Sequence, residues 1–382
     1  MRELIILLKV ITNKMKGDIM QKLSQLWNNI NQRLLPLINE EIGTLSEKQE
    51  KFVKAVEMLN PEKYLITLEW LGNGRKPSDR LSLFKAFVAK SIYNYSLTNE
   101  FREFLLCNES LRRLCGYEAI NDVPSEPTFS RAFNEFSNLE IGSKVHNEMV
   151  EEYLGEKLCG HVSRDASAVD ARETPVKIIK SDLPVQNPVG RPKKGTQKIE
   201  KAPTKLTQQL SRSLEENLAD IPTHCSIGTK LDSKGHKYSW IGYKLHLDVI
   251  DGDIPVSGIL SSASVYDNQV SIPLAQMTAQ KITNLYDLMD AAYDASEIYY
   301  FSKTLGHIPV IDHNKRRGDK REFSPAEKGR FKERSSVERV FSNLKDNYGC
   351  KNIRVRGAKK VMMHLMFGVI ALTATQILQM II

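Results

Sequence analysis

Residues 236–267 read HKYSWIGYKLHLDVIDGDIPVSGILSSASVYD, and this stretch decides the fold class. Two runs rich in Val, Ile, Leu and Tyr flank the tripeptide Asp251, Gly252, Asp253. β-Branched and aromatic residues on either side of an Asp/Gly break predict two antiparallel strands joined by a tight turn. Upstream, HVSRDASAVDA at 161–171 alternates in the same manner and reads as a third strand.

Downstream the period changes. Residues 268–282 read as a helix, 285–289 as a short buried strand ending at Asp290, 295–305 as a helix and 307–312 as a last strand, before a long helix that carries Glu338. A three-strand meander followed by alternating helix and strand is the order expected of a ribonuclease-H-like α/β core with a mixed sheet. Residues 1–150 are expected to form an all-helical domain, with apolar residues at helical spacing in 81–95 and 100–114 and loops at 72–78 and 121–127. Ser125 or Thr128 is the expected cap of the helix FSRAFNEF. A helical module of this size can dock in the DNA major groove, so DNA-end binding is expected of it. The second domain then spans 151–382. Within it, 173–235 forms a polar, basic insertion, read as loop or partly disordered. Its PVGRPKKG at 188–195 resembles an AT-hook, whose Arg191 would enter a narrow minor groove, although a single copy reads first as a flexible basic linker.

The chain has 382 residues, 41% hydrophobic and 26% charged, enough to bury real cores without staples. A net charge of +8 and a pI near 9.0 favour a polyanionic partner, nucleic acid before a membrane surface. The five cysteines are scattered, with no CxxC pair and no zinc spacing, and read as free thiols in a reducing, cytoplasmic compartment. The apolar C-terminal run from Val361 carries His364, Thr373, Thr375, Gln376 and Gln379, so it is expected as a buried terminal helix with no membrane partner. The apolar start lacks a small-residue cleavage site and is not read as a secretory leader; Met15 and Met20 stand as alternative starts. No GxxxxGK[ST] loop is present, so ATP is not implied.

Three acids stand out by position. Asp165 lies inside the first strand, Asp290 ends a buried strand before Ala291 and Ala292, and Glu338 sits on the helix after the last strand. Asp170 shares the first strand with Asp165, but an odd offset sends the two to opposite faces. Asp287 and Asp294 compete with Asp290, the former inside the short strand and the latter past its end. Clustered carboxylates repel one another unless divalent cations oppose their charge, and all-oxygen ligation selects Mg²⁺ or Mn²⁺ over zinc. Two such ions can activate a nucleophile and stabilise a leaving oxygen at one phosphorus.

Around Glu338, FKERSSVERVFSNLK at 331–345 puts Phe331, Arg334, Glu338, Phe341, Ser342 and Lys345 on one stripe if helical. The basic groups spread over about 15 Å, which suits a phosphate backbone.

On these residues the chain resembles bacterial insertion-sequence transposases of the DDE type, in the branch with a YxxRxxxExxxxxxK signature. Phe331, Arg334, Glu338 and Lys345 carry it, with Phe in place of the usual Tyr. Asp165-Ala166-Ser167 matches the family's first motif, and Asp290 with Tyr293 and Asp294 its second. The resemblance implies double-stranded DNA as partner, both element ends and target, with a homodimer on paired ends and a nucleoid-associated location. It implies that Asp165, Asp290 and Glu338 hold two Mg²⁺ or Mn²⁺ ions, and that Arg334 and Lys345 position terminal phosphates. Cleavage at the element end would free a 3′-hydroxyl that attacks a target phosphodiester. Lys244 and His246, alternating on one strand face, are further candidates for DNA contact. Trp240 is a candidate for stacking on an unpaired base, although a strand Trp is more often core. A structure-specific, metal-dependent nuclease on the same fold, or a domesticated DNA-binding regulator, would share much of this pattern.

Overall fold

The computed structural model describes residues 21–68, 72, 74, 76–155, 157–176, 203–231, 235–314 and 322–380. Its first part is helical. Ser46 starts the helix Glu47–Val56 with a capping box to Gln49, and Asp79 starts Arg80–Ile92 (α1) by accepting from the Ser82 amide at 2.7 Å. Thr98–Cys107 (α2), Glu126–Asn138 (α3) and Ile141–Leu154 (α4) follow. Pro127 sits in the first turn of α3, where no amide hydrogen is needed; the expected side-chain cap from Ser125 is not made.

The second part is a mixed sheet with Leu158–Asp170 (β1) in its interior. Ser226–Leu231 (β2), Lys237–Ile250 (β3), Ile254–Ser262 (β4), Thr283–Met289 (β5) and Ile308–Ile311 (β6) complete it in the order β2-β3-β1-β5-β6. β1 is antiparallel to β3 and parallel to β5, and β6 is parallel to β5. On its other edge β3 carries two antiparallel partners end to end, β2 along 237–242 and β4 beyond. The expected hairpin joins β3 to β4, with Gly252 and Asp253 both at positive φ (81° and 59°) in the turn. Where β3 passes from one outer partner to the other it needs Gly242, because a Cβ there would lie 2.1 Å from the Val169 carbonyl oxygen.

Alternation gives β1 two differently covered faces. Arg164 points to the face under Asn268–Ala279 (α5), where it makes a buried, two-pronged pair with Asp248 (2.8 and 2.7 Å); Thr278 of α5 also donates to Asp248 at 2.6 Å. Removing one partner of such a buried pair costs about 3–5 kcal/mol, because the other charge is stranded. Ser163, Asp165 and Ser167 point to the opposite face, against Ser335–Asn347 (α6) and the 3₁₀ turn Lys332–Arg334 before it.

Ala358–Gln379 (α7) is apolar all round, and 83% of its most apolar window is buried in the fold. A helix without a polar face belongs in a core. Phe367 lies 5.3 Å, ring to ring, from both Phe84 and Phe87 of α1, and α7 also packs on α3, α4 and β4. One apolar cluster therefore runs from the N-terminal helices through α7 into the sheet.

Two expectations are corrected. The tract 173–235 is not structureless throughout: Lys205–Gln209 and Leu214–Ala219 are short helices, each started by a Thr or Ser cap, and β2 is a sheet strand. The polar composition of β2 reflects its outer position. The run 331–345 is also not one α-helix, because Pro325–Phe331 ends in the 3₁₀ turn that precedes α6. Arg191 lies outside the described residues.

Candidate active site

The site opens where β5 stops. The last β1–β5 pair is Arg164 with Met289, and one residue further on each strand stand Asp165 and Asp290. β1 continues beyond this point while β5 gives way to the turn Ala291–Tyr293, whose Ala292 amide donates to Asp290 at 2.9 Å. The two carboxylates thus belong to adjacent parallel strands at a shared edge, where sites in open α/β sheets assemble.

Arg334 links the third acid to them. Its guanidinium donates to Asp165 at 3.3 Å and to Glu338, one turn on. The segment that carries it is held at three points. Ser163 donates to the Glu333 carbonyl at 3.1 Å, Arg339 forms a two-pronged pair with Asp253 of the hairpin turn (2.7 and 2.8 Å), and Asn94 donates to the Asp346 carbonyl at 2.8 Å. Lys345 reaches back to Ser167 at 2.7 Å.

Burial pushes the Asp165 carboxyl up to about 6; the Ala166 amide and Arg334 oppose the rise, while the charges of Asp290 and Asp267 add to it. Burial also raises Asp290, with Arg334 opposing. Two carboxylates in one poorly solvated site call for positive charge, and their all-oxygen donor set suits a hard divalent cation. Among the described residues, however, no group of three or more Asp, Glu, His or Cys side chains stands ready to hold a metal ion. Glu338 is 55% exposed and meets Asp165 only through Arg334.

The rival acids have other partners. Asp287 is buried against Asn284 (3.0 Å) and His307 (3.2 Å), and Asp294 accepts from the Asn314 amide at 2.9 Å. Asp170 is exposed at the end of β1.

The strand β3 corrects the sequence reading. Lys244 and His246 do share a face, but it is the face under α5, opposite Asp165. His246 is fully buried, with Nε2 2.8 Å from the Ser261 hydroxyl, so it does not face DNA. Lys244 is turned to Asp267 and to the Val265 carbonyl, each at 2.8 Å. Trp240 is 5% exposed, covers Gly228 and donates to the Tyr243 carbonyl at 3.0 Å, so it is core and not a stacking platform. Alternation located the shared face; only the position of α5 decided that it was covered.

Asp267 escaped the sequence reading, and Tyr293 entered it only as part of the second motif, with no part in the site's electrostatics. Asp267 precedes α5 but makes no side-chain cap; it faces Lys244 and adds its charge to the acidic site. Tyr293 is buried, its hydroxyl has no partner among the described residues, and the charges of Asp267, Asp165 and Asp290 all reach it. An acid placed right after a strand and before a helix was the available signal for Asp267.

An acidic strand edge flanked by fixed arginine and lysine, on a mixed sheet behind a helical region, has the features of an enzyme that processes nucleic-acid backbones. Residues 219–374 match the family of the transposase DDE domain, and residues 40–135 match a second family, the transposase domain DUF772. Together the two matches support an insertion-sequence transposase of the DDE kind, a DNA-processing enzyme. Asp290 and Glu338 lie inside the first match and Asp165 before it. No curated protein matches the chain.

Proposed function

We propose that this protein cuts DNA at the ends of its own mobile element and joins the freed 3′-hydroxyl to a phosphodiester of target DNA, using a ribonuclease-H-like core. The strand order, with β1 antiparallel to β3, β3 antiparallel to β4, and β5 and β6 parallel to β1, supports that fold. The observation that carries the functional reading is Asp165 beside Asp290 at the strand edge, joined to Glu338 through Arg334.

In this reading Asp165, Asp290 and Glu338 are the residues that hold a pair of Mg²⁺ or Mn²⁺ ions. When bound, such ions supply Lewis-acid activation of the attacking oxygen and charge neutralisation at the leaving one. Arg334 neutralises the acids and can turn its fork to a phosphate, since guanidinium matches carboxylate and phosphate alike. For Glu338 to ligate beside Asp165, Arg334 must release one of the two. Lys345 adds a point charge two strand positions from Asp165, at Ser167. Two element ends must meet in one complex, which a homodimer on double-stranded DNA would provide.

The test is a gel assay with labelled duplexes carrying the sequences that flank the gene, an unlabelled target duplex and Mg²⁺. Joined products are expected. Cut ends that never join would favour a nuclease, and binding with neither cutting nor joining would favour a regulator.

A further inference from the structure

Past the end of β1 lies a cleft of about 490 Å³ between the helical region and the link from α6 to α7. Arg172, two residues beyond that strand, lines it together with Arg354, Arg356 and Lys360. None of the four makes an ion pair among the described residues, and the three arginines are exposed. Lys90 also lines the cleft, its amine bonded to the Ser96 carbonyl at 3.1 Å, and Glu126 is the single acid among the lining residues.

The sequence around this cleft concentrates positive charge. Residues 351–360 read KNIRVRGAKK, five cations in ten residues with no acid. Lys360 stands in the first turn of α7, where the helix dipole disfavours a cation. Such crowding is unfavourable by itself and is relieved by a polyanion, which releases its counterions as the cations engage it.

The cleft also lies past the end of the strand that carries Asp165. From Asp165 to Arg172 is seven residues along and just past β1, about 23 Å at about 3.3 Å per residue. Lys345, at Ser167, stands between them on the catalytic face. Duplex DNA advances about 3.4 Å per base pair, so a duplex anchored at Asp165 and running along β1 reaches the cleft after about seven base pairs.

We infer that the cleft is a binding site for the DNA sugar-phosphate backbone, gripping the duplex about seven base pairs from the reacting phosphodiester, with Arg354, Arg356, Arg172 and Lys360 as phosphate ligands. This rests on the transposase reading above and assigns part of its DNA grip to residues outside the acidic site.

Binding of a fluorescein-labelled duplex several helical turns long, followed by anisotropy across a salt series, tests it. In Arg354→Gln/Arg356→Gln the slope of log K against log salt is expected to fall by about 1.8, since each lost phosphate contact removes about 0.9. Glu126→Gln is expected to tighten binding. If wild type binds and the double variant, melting as wild type does, keeps its slope, the cleft assignment is overturned while the transposase reading stands. A wild-type protein that neither binds nor cuts duplex DNA overturns both. If the double variant loses its cooperative melt, Glu126→Gln decides, and affinity unchanged from wild type counts against the cleft.

Discussion

Asp165 and Arg334, 169 positions apart in the chain, meet at 3.3 Å across the boundary between the sheet and the helix that carries Glu338. That single contact connects the strand edge to the helix that carries Glu338, and it opposes the effect of burial on the site's acids.

The first consequence concerns pH. An isolated aspartate loses its proton near 4, whereas burial holds Asp165 protonated in the fold up to about 6. Between these values the folded state binds more protons than the unfolded one, so stability from this group falls as pH rises from about 4 to 6 and stays lower above. Asp165→Asn is expected to abolish DNA cleavage yet stabilise the fold at pH 7 by about 2 kcal/mol, since each pH step between the two values is worth about 1.4 kcal/mol before solvent screening reduces it. Below about pH 4 the gain should vanish. Denaturant titrations at pH 4 and pH 7 check this; equal gains at both would refute the raised proton affinity of Asp165.

Arg334 lowers the proton affinity of both Asp165 and Asp290. Arg334→Lys keeps a charge but loses the fork, so the acidic limb of the pH–cleavage profile is expected to move to higher pH while some activity remains. A profile unmoved on its acidic side would separate Arg334 from these acids.

Glu338→Gln keeps the shape of the side chain and removes its charge. Cleavage is expected to drop on the order of 100-fold or more, the usual loss when a stabiliser of transition-state charge is removed. Duplex binding in the presence of a chelator should not weaken, because Glu338 contributes no positive charge to the grip on phosphate. Wild-type cleavage by this variant would remove Glu338 from the metal-holding set.

Lys345 is partly buried and bonded to Ser167. Lys345→Ala is expected to weaken duplex binding uniformly over sequence and to reduce the salt slope by about 1. Binding curves at several salt concentrations measure it; a parallel slope would mean that the lysine serves only the β1–α6 contact.

Gly228 lies under Trp240, where an added Cβ would come 2.3 Å from the indole ring. A rigid ring with a bonded Nε1 cannot move cheaply, so Gly228→Ala is expected to destabilise by about 1–3 kcal/mol, as overpacking does. Urea unfolding monitored by Trp fluorescence reads this out, and a midpoint equal to wild type would contradict the core assignment of Trp240.

The strands of the meander, the hairpin turn at Gly252 and the buried terminal helix were legible because each is written in local terms: alternation, a turn dipeptide, an apolar run too polar for lipid. Asp290 was legible for the same reason, as an acid that ends a buried strand before two alanines. β2 was not, since an outer strand with one open edge needs few apolar residues and resembles its polar surroundings. Lys244 and His246 were misread because period-two spacing says which residues share a face and nothing about what lies over it. Asp267 was overlooked because its partners, Lys244 and the acidic edge, come from other strands.

The amino-acid sequence alone determined the order of elements, the alternation that sets Asp165 opposite Arg164, and the helical spacing that joins Arg334 to Glu338, since these depend on neighbours within a few residues. Only the tertiary structure decided that β5 stops beside Asp165, that α5 seals His246 and leaves the opposite face to α6, and that Arg172 and Arg354 line one cleft. Those outcomes depend on which surfaces exclude water from one another, and that is a property of the whole packed chain.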